Sequence, residues 1–182
     1  ERNYKSFRFK MFFKSGPLFY VFYNIRLFFF LLFTRFDIAH ANDLDTLLAV
    51  FLASKFKKKK VVYDSHELFT EVPELINRPF VRKIWLSIES FILPKLDSMF
   101  TVNDSIAKIY ADKYKINTIV LRNMPTELKE EIFVKKSDFG FDEETRLVIL
   151  QGAGINVDRG AEEAVEAMNY IDDFTNMAYH LI

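Results

Sequence analysis

Two rhythms of apolar residues alternate along the chain. Phe36–His40, Val61–Tyr63, Ser98–Val102 and Thr118–Leu121 are short apolar runs of strand length that break off in polar residues. Between them lie longer stretches with apolar positions three or four residues apart. These are Leu44, Leu47, Leu48, Phe51 and Leu52 in the first, Phe80, Ile84, Ile88 and Phe91/Ile92 in the second, and Ile106, Ile109 and Tyr110 in the third. That spacing puts each set on one face of a helix. Strand–helix alternation predicts an α/β fold: a Rossmann-like parallel sheet with flanking helices, built from right-handed βαβ units. Phe7–Phe13 is apolar enough to predict one more strand upstream. Leu68–Asn77, aperiodic and interrupted by Pro73, reads as a loop over the strand ends.

Leu18–Phe33 breaks this rhythm. It follows a turn at Ser15-Gly16-Pro17 and is almost wholly apolar, interrupted by Asn24 and Arg26. At 16 residues it is shorter than the ~20 needed to cross a bilayer core, and it carries a charge near its middle. A buried helix is the first expectation. The second is a helix that rests its Phe-rich face on a membrane, with Arg26 and Arg35 at the headgroups.

Composition shifts at Thr126. Residues 127–145 are charged and read as a linker between an N-terminal domain (1–126) and the start of a second α/β domain (146–182). The chain opens at Glu1 without a Met and stops inside a strand-like run at Tyr179–Ile182, so it is expected to be a fragment cut at both ends.

Half the residues are apolar and 21 are Phe, enough for a large core. The 25 basic and 25 acidic residues cancel, which gives no electrostatic footprint for nucleic acid. There is no Cys, which excludes disulfides and suits a reducing compartment.

The candidate chemistry sits at the strand ends, where open α/β sheets meet their ligands. Three polar clusters fall there: His40/Asn42/Asp43, Asp64/Ser65/His66/Glu67 and Asn103/Asp104/Ser105. Asp43 and the Asn103 cluster suit helix caps. His66 and Glu67 are not needed for capping, and an imidazole beside two carboxylates can serve as base, electrostatic partner or ligand. One alternative is a metal-dependent hydrolase, with His40, Asp43, Asp64, His66 and Glu67 converging across neighbouring strand ends. The chain has no H-x-x-x-H spacing to support it. Another is a non-catalytic nucleotide- or partner-binding α/β domain. In the second unit, Gly152, Gly154 and Gly160 with Arg159 lie between a strand and a helix. Backbone N–H groups there can approach a phosphate, although the spacing is not G-x-G-x-x-G.

The order of these segments is more specific than any one of them: strand-H-x-x-D, V-V-Y-D-S-H-E-L-F, T-V-N-D-S-I-A, L-R-N-M-P, then L-Q-G with R-G before a helix. From about Phe36 this order resembles family 4 glycosyltransferases, retaining enzymes of the two-domain GT-B fold. The resemblance implies transfer of a sugar from a nucleoside-diphosphate sugar to a glycan or lipid-linked acceptor, with retention and without metal or other cofactor. It implies an acceptor-side N-terminal domain and a donor-binding C-terminal one, here truncated, so that this chain alone is expected to be inactive. His66 falls where the family places a histidine beside the transferred sugar. His40, Asp43, Asp64, Glu67, Asn103 and Asn123 would border the acceptor and sugar. Gly152, Gly154, Arg159 and Gly160 would hold the donor diphosphate. Two departures stand out. Ala153 occupies a position where many members have an arginine, and the family's paired glutamates are not in this sequence. A lipid-linked acceptor would place the enzyme in the cytoplasm at the inner membrane face, with residues 18–33 in contact with the membrane.

Overall fold

The computed structural model describes residues 4–124, 135–150, 160–170 and 179–181. The chain divides into two compact units, Glu1–Met124 and Pro125–Ile182. In the first unit, α1 (Gly16–Phe33) precedes β1 (Ile38–Asn42), α2 (Leu44–Lys57), β2 (Lys60–Ser65), α3 (Pro73–Ile76), α4 (Pro79–Ile92), β3 (Ser98–Thr101), α5 (Asp104–Tyr114) and β4 (Asn117–Val120). The four strands form one parallel sheet in the order β1-β2-β3-β4, with helices as the connections. This is the Rossmann-like α/β arrangement of a GT-B N-terminal domain.

Register sets where the chemistry can be. Asn42 lies opposite Asp64, Ser65 opposite Thr101, and Thr101 opposite Val120. All four strands therefore end on one edge. Burial follows the period of two: Ala39, Ala41, Tyr63, Ser65, Met99 and Thr101 are buried, while Ile38, His40 and Asn42 are exposed. Leu44, Leu47, Tyr63, Ile92, Leu93, Met99 and Tyr110 are the large side chains at the centre of the core. Burying each aliphatic one stabilises the fold by roughly 1.5–3 kcal/mol.

Several expectations are corrected. No residue of α1 is fully buried. The helix packs chiefly on α2, and it is on that side that Tyr20, Leu27 and Leu31 touch the core. Asn24, the polar break in the apolar run, is what joins the two helices. Its Nδ2 donates to Asp45 O at 2.8 Å and its Oδ1 accepts from Ala49 N at 3.2 Å. Those two backbone groups are four residues apart, the spacing of an α-helical hydrogen bond. Asn24 thus clips α1 to one turn of α2 through that turn's own backbone groups.

Residues 7–13 form no strand. Phe7 and Phe9 instead pack on Phe30 and Tyr23 of α1, and Arg26 donates to Lys10 O at 2.6 Å. Among the lysines at 57–60, Lys57 is half-buried and closes the end of α1. Its ammonium donates to Leu31 O and Leu32 O, each at 3.1 Å, and to Thr34 O. Lys59 pairs with Asp37 at 2.7 Å, which leaves Lys58 and Lys60 exposed.

The buried face of α4 is also rotated from the expected one. Trp85, Glu89 and Ile92 are buried, while Phe80, Ile84 and Phe91 are exposed. Trp85 packs edge-on against Tyr20 and Phe69, and Glu89 joins α5 through Lys113 at 3.1 Å and the Tyr114 hydroxyl. A buried glutamate is invisible to a count of apolar positions. On α5, Ala107, Tyr110 and Tyr114 are buried and Ile109 is exposed. The segment after Glu67 is not a plain loop, because it holds a 3-10 turn at Phe69–Glu71 and α3.

In the second unit, a 3-10 turn at Lys136–Phe139 precedes β5 (Arg146–Val148), α6 (Ala161–Met168) and β6 (Tyr179–Leu181), and β5 pairs parallel with β6.

Candidate functional site

The polar strand ends of β1 and β2 converge on one side chain, His66. Its Nε2 lies 3.1 Å from Asn42 Oδ1 and 3.4 Å from Asp64 Oδ2. On the opposite side of the ring, Nδ1 lies 3.3 Å from Asn123 Nδ2. An amide nitrogen only donates, so Nδ1 accepts. Nε2 then carries the proton, donated toward Asn42 and Asp64. Asp64 also lies 3.4 Å from His40 Nε2, which places one carboxylate between two imidazoles. The Asp64 side chain is 18% exposed and that of His66 36%, so the ring is reachable while its anchor is sheltered.

Local backbone chemistry holds the ring there. Asp43 sits at the N-cap position of α2, but its side chain does not cap the helix. Oδ1 instead accepts from His66 N at 3.1 Å. Asp43 adopts φ 61°, a left-handed conformation unusual for a non-glycine residue. The β1/β2 ladder runs one bond beyond the sheet, from Asp43 N to Asp64 O at 2.9 Å, and this fixes the strained turn. Backbone strain of this kind persists where surrounding contacts over-determine it. Two residues further on, the Asp45 carboxyl is raised from its ordinary value by burial and, second, by the Asp43 carboxylate.

Below the ring, Ser65 is fully buried. Its hydroxyl donates to Glu67 O at 2.7 Å and lies 3.1 Å from the Tyr110 hydroxyl. The serine proton is committed to a carbonyl that cannot donate, so Tyr110 supplies the hydrogen of the second bond. Thr101 Oγ1 donates to Ser65 O at 2.9 Å. α5 and β3 thus hold the turn that presents His66. Burial, then the charge of Glu89, pushes the Tyr110 phenol up to about 12.

The other sequence candidates fall elsewhere. Asn103 caps α5, accepting from Ile106 N at 2.9 Å, and Asp104 pairs with Arg122 at 2.7 Å. Glu67 is exposed and contributes its carbonyl to the turn. Among the described residues no group of three or more His, Asp or Glu side chains is arranged to hold a metal ion, so the hydrolase reading finds no support. Gly152, Gly154 and Arg159 lie outside the described residues. Gly160 is the N-cap residue of α6, at φ 77°, a conformation glycine adopts without penalty. Glu162 and Glu163 occupy the first turn of α6. They already complement the helix dipole and would oppose a phosphate brought there. Asn42, named in the polar cluster at the end of β1 but given no role on the acceptor and sugar side, makes the shortest contact to the ring. Its strand-end position beside His40 was the available signal.

A surface pocket of about 300 Å³ is lined by Lys55, Lys59, Lys60, Lys95 and Asp97 among others. It lies where β2 and β3 begin, away from the His66 edge, and is not part of this constellation.

No curated protein matches the chain. Residues 1–123, which contain the whole His66 constellation, match the domain described as Glycosyltransferase Family 4, and the chain belongs to that family.

Proposed function

We propose that the protein transfers a glycosyl group from a nucleoside-diphosphate sugar to a glycan or lipid-linked hydroxyl with retention of anomeric configuration, in the cytoplasm at the inner membrane face. The single observation that supports this reading is the His66 ring, fixed at the strand-end edge by Asn42, Asp64 and Asn123 in a family 4 chain. In this reading the sugar C1–O bond to the diphosphate breaks as C1 bonds to the acceptor oxygen. The acceptor proton passes to the departing diphosphate, a front-face route that needs no enzyme nucleophile. His66 hydrogen-bonds the transferred sugar beside the reacting carbon. The contact a sugar hydroxyl would displace is the long, exposed one between Nδ1 and Asn123. Gly152, Gly154, Arg159 and Gly160 are the residues this reading assigns to the leaving diphosphate, whose charge needs the kind of electrostatic aid that dominates such steps. The α6 dipole adds little, because Glu162 and Glu163 already oppose an anion there.

The test offers a panel of nucleoside-diphosphate sugars and lipid or glycan acceptors to the full-length protein, with nucleoside diphosphate release as readout. Turnover of at least one donor is expected, and its product should keep the donor's anomeric configuration. His66→Ala should remove turnover while the circular dichroism spectrum is unchanged. A fully active His66→Ala protein would overturn the role given to that ring.

A further inference from the structure

The outer face of α1 is an apolar stripe left largely exposed by the fold, touched at one point by Phe13, whose ring centroid lies 5.2 Å from that of Phe22. Leu18, Val21, Phe22, Ile25, Phe29 and Phe33 are 42–88% exposed and recur at helical spacing, so they form one continuous band. Phe12, 91% exposed, extends the apolar surface at the end where the preceding segment turns into the helix. α1 is also long and apolar enough to cross a membrane, with a mean hydropathy of 1.6 over 18 residues.

The charge around the stripe says what covers it. From Lys5 to Arg35 the chain carries six basic residues and no acidic one, although the whole chain is neutral. Phe7 and Phe9 face α1, while Arg8, Lys10 and Lys14 in the same segment are exposed. At the other end of the helix, Lys57 is bonded to the last α1 carbonyls, and Arg35 and Lys58, two residues after Phe33 and one after Lys57, are exposed. An apolar band rimmed by cations matches an anionic bilayer surface, whose headgroups are negative and whose acyl boundary is apolar. A soluble protein partner would need acidic groups around an apolar ridge, an arrangement an anionic leaflet supplies without further design.

Orientation follows from the other side of the helix. Asn24 ties the middle of α1 to Asp45 and Ala49 of α2, and Lys57 ties its end. Spanning the bilayer would break these bonds and leave Asn24 in hydrocarbon. We infer that α1 lies in the plane of the membrane as a peripheral anchor selective for anionic phospholipid, its Leu18–Phe33 stripe in the acyl boundary and its basic rim on the headgroups. This inference does not depend on the sugar-transfer reading, since it concerns binding and is measured without donor or acceptor.

The experiment is co-sedimentation of the full chain with vesicles of phosphatidylcholine alone or of phosphatidylcholine mixed with phosphatidylglycerol. Binding to the mixed vesicles is expected, with little to phosphatidylcholine. Each basic residue near such a surface is worth about fivefold in partitioning. The triple variant Arg8→Gln, Lys10→Gln, Lys14→Gln should therefore lose on the order of a hundredfold. Phe22→Asn with Ile25→Asn should also abolish binding, with the unfolding midpoint kept as the check on folding. Equal binding to neutral and anionic vesicles, undiminished binding by folded Phe22→Asn/Ile25→Asn protein, or resistance to carbonate extraction from membranes would each overturn the inference.

Discussion

Ser65→Ala tests how the His66 turn is held. The serine hydroxyl donates to Glu67 O and accepts from the Tyr110 hydroxyl, and both Ser65 and Tyr110 are fully buried. The substitution deletes both bonds. Losing the bond to Glu67 costs about 1 kcal/mol, and leaving the Tyr110 hydroxyl buried without this acceptor costs about 1–3 kcal/mol more. The sum, roughly 2–4 kcal/mol, is a large share of the 5–15 kcal/mol by which domains are stable. Tyr110→Phe is the informative partner. It removes the donor together with its need for an acceptor, and Ser65 keeps its bond to Glu67, so the loss should be about 1 kcal/mol. Urea unfolding at pH 7 measures both variants. Amide exchange at His66 and Glu67 should accelerate in Ser65→Ala and stay near wild type in Tyr110→Phe. If Tyr110→Phe costs as much as Ser65→Ala, or if His66 and Glu67 exchange equally in the two variants, the assignment of donor and acceptor here is wrong.

Further outcomes follow from the same structure. Because burial raises the Tyr110 phenol from its ordinary 10 to about 12, the folded state holds this proton more tightly than the unfolded one. Its contribution is complete below pH 10 and is lost as pH rises toward 12, so the unfolding midpoint should fall across that range. The fall should be shallower in Tyr110→Phe, and an equally steep fall would speak against the assignment. Asn24→Leu should destabilise the unit by about 1–2 kcal/mol in urea titrations. The loss is limited because Asp45 O and Ala49 N lie inside the continuous α2 helix, where they have each other as partners. Asp45 is raised by burial, so its ionised form is disfavoured in the fold and Asp45→Asn should raise the thermal midpoint at pH 7. At pH 3 the native carboxyl is already protonated and the gain should vanish, whereas a gain of equal size at both pH values would point to another cause. Asn42→Ala should lower turnover in the sugar-release assay without global unfolding, because Asn42 anchors the Nε2 side of His66. Unchanged kinetics in that variant would remove Asn42 from the site.

The sequence by itself determined the parallel α/β architecture. Strand-length apolar runs alternating with helical spacing admit few other solutions, and polar residues at strand ends marked the functional edge. It also made His66 conspicuous, since neither a cap nor a core position accounts for an imidazole there. What the sequence could not determine was the partner of each face. On α4 the apolar positions outnumber the space available against the sheet, and the contacts of Trp85 and Glu89, not the count, chose which face turned inward. On α1 apolar residues occur on every side, so only tertiary packing showed that one side meets α2, a second takes Phe7 and Phe9, and the outer stripe stays exposed. The roles of Asp43 and Asn24 were equally hidden. Each side chain bonds to groups more than twenty residues away, Asp43 to His66 N and Asn24 to Asp45 O and Ala49 N. Local propensity reads a cap or a helix interruption at such positions. The long-range hydrogen bonds that decide what those residues do exist only once the chain has folded.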